Sequence, residues 1–113
     1  MKEIDVYEQY FAARGVWNGR PRHGALVKLT AVSDSGTVRY DVAVTFFPHD
    51  SEEDYAVSYD AFFSKTVYEG TGRRSKKREE TLLSSFREQI DALAAEAGGA
   101  VLWDQPLRDA RRG

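Results

Sequence analysis

Cysteine is absent from this 113-residue chain, which excludes a disulfide framework, a thiolate nucleophile and any zinc site built on sulfur. No apolar stretch reaches membrane-spanning length, and Met1 to Arg20 carries charges throughout, without the roughly 7 to 15 apolar residues of a secretory signal. A cytoplasmic protein with no membrane partner is expected. No internal repeat is visible, and Ser33, Ser35, Ser58 and Ser64 stand in no motif that would make a nucleophile with His23 or His49. His49 lies beside Asp50, Glu52 and Glu53, but a lone histidine in an acidic loop reads as hydrated. The expectation is therefore a protein without a catalytic centre, metal or cofactor.

What the chain does contain is ordinary globular material. Hydrophobic residues make up 42% and charged residues 30%, too apolar for a disordered chain. A chain of this length can bury roughly two thirds of its unfolded surface around one core. The formal net charge of −2 argues against a general nucleic-acid or membrane coat, yet the charges are unevenly placed. Gly70 to Arg78 holds five cations and no acid; the remainder has 16 − 5 = 11 cations against 18 acids, or −7.

Along the chain, Ile4, Tyr7 and Phe11 are spaced three and four apart, which predicts a short helix over Glu3 to Arg14 ending at Gly15. Trp17 to Gly24, with Asn18-Gly19 and Pro21, reads as a loop. Alternation at Val27, Leu29 and Ala31, and at Val38, Tyr40, Val42, Val44 and Phe46, predicts two strands joined by Ser33-Asp34-Ser35-Gly36 as an antiparallel hairpin with one wet face. After Pro48 and the acids Asp50 to Asp54, residues Tyr55 to Tyr68 fit both strand and helix periodicity, with aromatic and β-branched content tilting the balance to a third strand. Leu82, Leu83, Phe86, Ile90, Leu93, Ala94 and Ala97 form one stripe of a long helix over Ser75 to Ala97, stopped by Gly98-Gly99. Ala100 to Trp103 reads as a short fourth strand and Asp104 to Gly113 as a polar tail. Together these predict one α+β domain over residues 1–103. It consists of an antiparallel sheet of three or four strands with the long C-terminal helix, and the short N-terminal one, on one face.

The basic run departs from what a helix start prefers. A helix N-terminus carries partial positive charge and unpaired N–H donors, so cations there cost a few tenths of a kcal/mol each. Here Arg73, Arg74, Lys76, Lys77 and Arg78 precede Glu79 and Glu80, beside Gly70 and Gly72, whose small size would let a ligand or another backbone approach. Backbone donors, helix dipole and cations converging at one corner is the arrangement phosphates favour. The competing reading is that these cations pair with the acids of Asp50 to Asp54 or stay hydrated.

The segment Gly70-Thr71-Gly72-Arg73-Arg74-Ser75-Lys76-Lys77-Arg78 resembles the start of the last helix in double-stranded-RNA-binding domains, where a Ser-Lys-Lys run follows a glycine-containing turn. The resemblance implies phosphate contacts by Lys76, Lys77 and Arg78, a helix, three strands and a helix in that order, and recognition of shape. The chain departs from that family at Glu80, where another cation is usual, and in lacking Gly-Pro-x-His at its first hairpin turn. Two functions are thus expected to compete: a non-catalytic module binding nucleic acid or another polyanion through residues 73–78, and a protein-interaction domain. In the second, an acidic protein surface meets the basic run, or copies self-associate with the acid loop of one against the basic run of another.

Overall fold

The computed structural model describes residues 1–17, 20–21, 24–47 and 61–107. Six antiparallel strands and two short helices make up that part of the chain: β1 (Lys2–Trp17), β2 (Arg20–Pro21), β3 (Gly24–Asp34), β4 (Thr37–Phe47), β5 (Ala61–Thr71), α1 (Lys76–Ser84), α2 (Phe86–Glu96) and β6 (Gly99–Pro106). β1, β3, β4 and β5 are hydrogen-bonded in that order, β6 pairs with β1, and β2 pairs with the end of β1. The helices connect β5 to β6, the strand that adds to the opposite side of the meander. This corrects the expected three- or four-stranded sheet under one long helix.

The expected helix over Glu3 to Arg14 is instead strand β1. The register between β1 and β3 slips between Asp5 and Tyr7, so that Ile4 faces Ala31 and Tyr7 faces Leu29. One extra residue in the strand shifts the alternation by one. A spacing of three from Ile4 to Tyr7, followed by two strand steps to Phe11, therefore imitates the period of a helix.

The expected hairpin is present as β3 and β4, paired residue for residue from Gly24↔Phe47 to Asp34↔Thr37, but the expected wet face is not: Leu26, Thr30, Val32 and Thr45 on the side away from α2 are buried as well. Its two-residue turn has positive φ at both positions, Ser35 at 51° and Gly36 at 86°, the condition for a turn whose twist matches the strands. A Cβ at residue 36 would meet open space, so Gly36→Ala tests backbone conformation alone. It is expected to lower stability by about 1 kcal/mol, read as a shift of the urea midpoint at constant slope.

One face of the sheet carries the core. Val27, Leu29, Tyr40, Val42 and Val44 are buried against Phe86, Ile90, Leu93 and Ala94 of α2 and Ala97 at its C-cap. On the opposite face Lys28 lies 3.6 Å from both Asp5 and Glu8, and Arg39 and Thr66 both bond Asp41.

The long helix expected over Ser75 to Ala97 breaks at Ser85, whose φ and ψ are −108° and 6°. Ser84 and Ser85 donate their hydroxyls back to the carbonyls of Thr81 and Leu82, the local competition for backbone acceptors that bends helices. The break turns the stripe, so Leu83 is 39% exposed while Phe86 is buried. Gly98, at φ 78°, ends α2 where expected.

β5 covers the second half of the segment that fitted both periodicities, and β6 runs to Pro106, into the expected tail. Residue 17 lies in β1, residues 20–21 in β2 and residue 24 in β3, all within the expected loop. The acids Asp50 to Asp54, His23, His49, residues 55–60 and the tail from residue 108 lie outside the described residues. No helix among the described residues is long and apolar enough to cross a membrane.

Candidate anion-binding corner

β5 leads into residues 72–75, which enter α1. The Gly72 N–H donates to the Gly36 carbonyl at 2.8 Å, tying this loop to the β3–β4 turn. Ser75 caps α1: its backbone is extended, its hydroxyl accepts from the Arg78 N–H at 3.2 Å, and its carbonyl accepts from the Glu79 N–H at 2.9 Å. A serine cap satisfies a helix-start donor that would otherwise lack a partner. Neither Gly70 nor Gly72 marks a close approach of another backbone: the Tyr68 side chain fills the space beside Gly70, and the space beside Gly72 is open.

The five expected site cations do not act as one group. Arg74 turns inward, donating from Nε to Glu79 Oε2 at 2.7 Å and from its terminal nitrogen to Glu79 Oε1 at 2.9 Å. Glu79 is buried and also accepts from the Tyr40 hydroxyl at 2.7 Å; that hydroxyl accepts in turn from the Ser75 N–H at 3.3 Å. The Arg74 hydrogen bonds hold the Glu79 carboxyl below its ordinary range against the opposing effect of burial. Burial and the bond to Glu79 push the Tyr40 phenol up, so it remains a donor. A charged acid is thus held in the first turn of α1, where the helix dipole favours it.

Arg73, Lys76, Lys77 and Arg78 remain exposed, and none forms an ion pair with a described residue. The Arg78 guanidinium lies 4.0 Å from the centroid of the Tyr68 ring, a cation–π contact that holds it against the sheet edge without cancelling its charge. Ser75, Lys77, Arg78 and Thr81 line a shallow depression of about 290 Å³ on the helix. A second depression, of about 490 Å³, lies between the β3–β4 turn and the chain start, with Lys2 and Arg73 on its wall. The helix start therefore presents four outward cations around a buried carboxylate.

The sequence reading missed Tyr40 and Glu79 as partners of the run. Tyr40 had the signature of a core strand residue, and its sequence distance from Glu79, 39 residues, hides the contact. A glutamate four residues after a serine at a helix start was the available local signal. Among the described residues no group of three or more acids and histidines could hold a metal. No family model, curated protein or solved structure matches the chain.

Proposed function

We propose that this chain is a non-catalytic binding module that holds the phosphate backbone of a nucleic acid on Arg73, Lys76, Lys77 and Arg78. One observation carries this reading. The four cations stand exposed within six residues at a helix start, without a carboxylate partner among the described residues, while Glu79 faces inward on Arg74 and Tyr40. Cations on an open surface gain by exchanging counterions for phosphates. The capped helix start adds its dipole in the same direction. The resemblance to double-stranded-RNA-binding domains points to Lys76 and Lys77 as well. Because the N-terminal element is strand β1 rather than a helix, the proposal takes over the phosphate contacts and not the family's way of reading a duplex.

The test is binding to duplex RNA, duplex DNA and single strands across a salt series. Four phosphate contacts on a duplex give a slope of roughly −3 to −4 in log affinity against log salt. The double change Lys76→Glu and Lys77→Glu is expected to abolish binding while leaving the melting temperature within a few degrees, since both side chains are exposed. No binding to any of the three at low salt overturns the proposal, as does binding of an acidic polypeptide in preference to all three.

A further inference from the structure

A third concave site lies on the helix side of the sheet, at the joint between α1 and α2. Tyr7 and Phe11 of β1, Leu83 of α1, Phe86 and Arg87 of α2, and Trp103 of β6 surround a cleft of about 290 Å³. Four of its six described lining residues, Tyr7, Phe11, Phe86 and Trp103, are aromatic. The Tyr7 and Phe86 rings meet edge-on with centroids 5.2 Å apart, and Phe11 and Trp103 do so at 4.9 Å. Contacts of this kind fix ring orientation as well as contributing apolar area.

Two irregularities of the fold build this cleft. Pairing between β1 and β6 jumps from Ala12↔Leu102 to Phe11↔Pro106, so residues 103–105 bulge out of the ladder and Trp103 lies across Phe11 and Phe86. Bulges that re-aim a side chain recur beside binding sites. The helix break at Ser85 supplies the other wall, setting Leu83 and Arg87 on opposite sides of the buried Phe86 in sequence. The Trp103 indole N–H donates to Asp91 Oδ1 at 2.8 Å, which locks the ring and occupies the neighbouring acid.

The charge of the cleft decides the ligand class. The Arg87 guanidinium lies 5.2 Å from the Trp103 ring centroid, and it forms no ion pair with a described carboxylate. A planar fork with no carboxylate partner among the described residues, beside aromatic walls, suits a carboxylate attached to a ring. The volume, at the lower end of ligand pockets, suits a ligand as small as one substituted ring. We propose that this cleft binds a small single-ring aromatic carboxylate, with the ring against Trp103 and Phe86 and the carboxylate on Arg87.

The experiment is a titration of the full chain with 3-phenylpropionate, its uncharged amide and 3-phenylpropylamine, followed by the indole N–H resonance of Trp103 and the backbone resonances of Leu83 and Arg87. The acid is expected to saturate those signals, with the amide about tenfold or more weaker and the amine without effect. Arg87→Met is expected to weaken the acid by a similar factor while keeping the fold, because Arg87 is exposed and methionine retains the apolar stem. Equal responses to acid and amine, an unchanged affinity in Arg87→Met, saturation at resonances elsewhere, or no saturation up to the solubility limit overturns the assignment.

Discussion

Glu79→Ala is expected to destabilise the fold by about 2–4 kcal/mol, the combined effect of a buried phenol losing its acceptor and a partly buried guanidinium losing its partner. The range begins below the roughly 3–5 kcal/mol usual for a broken buried pair because the Arg74 side chain is 37% exposed and water recovers part of its charge. Tyr40 has no comparable escape, being fully buried beneath α1. Tyr40→Phe, which leaves the carboxylate on Arg74, should cost only about 1 kcal/mol. Urea titration of the three proteins checks the order, and equal midpoints for Glu79→Ala and Tyr40→Phe would show that Arg74 contributes nothing.

The same cluster is expected to contribute to the loss of stability in acid. Glu79 is held below its ordinary range chiefly by the Arg74 hydrogen bonds, so the folded chain binds its proton less readily than the unfolded chain. Its contribution is then fully present above the unfolded-state value, near 4.3 for a glutamate, and is lost as pH falls through the folded one. The stability difference between the native chain and Glu79→Gln is expected to be constant at neutral pH and to shrink below about pH 4. A difference that holds steady down to about pH 2 would place the acid limit on other groups.

Gly99→Ala is expected to cost about 2–4 kcal/mol although it adds a single methyl group, about two to four times the effect at Gly36. Where β1 meets β6, Gly15 and Gly99 face each other. A Cβ on Gly99 would stand 2.8 Å from the Arg14 carbonyl oxygen and 3.1 Å from the Phe46 ring, and one on Gly15 would stand 2.7 Å from the Gly99 Cα. Those neighbours are backbone and buried ring, which cannot swing aside. Gly15 adds a φ of 141° that other residues rarely adopt. The double change Gly15→Ala and Gly99→Ala should depart from additivity, since both force the same two strands apart. Equal midpoints for Gly99→Ala and Gly36→Ala would show that this contact relaxes freely.

The β3–β4 hairpin was legible because both its signals are local: strict alternation on each strand, and a Ser35-Gly36 turn able to take positive φ. α2 and its stop at Gly98 were legible for the same reason. β1 was not, because a bulge at Val6 changes the phase of the pattern and depends on what β3 places opposite. The break between α1 and α2 was written in Ser84 and Ser85, yet serines point equally well to solvent. At the candidate site all five cations were visible as a run, whereas their division into one inward and four outward required knowing that Tyr40 lies under Glu79. Trp103 carried no sign of its bulge, which exists only as a mismatch with β1.

Adding β6 beside β1 also bears on how the chain reaches its native state. The Leu107 carbonyl and the Gln9 side chain that reaches it are 98 residues apart, whereas each step of the meander from β1 to β4 joins neighbours in sequence. Closing so long a span carries an entropic cost before any contact rewards it, and chains rich in such contacts fold slowly. On a ribosome, β1 would emerge with one side unpaired and wait for β3, β4, β5 and both helices to follow before its last partner arrived.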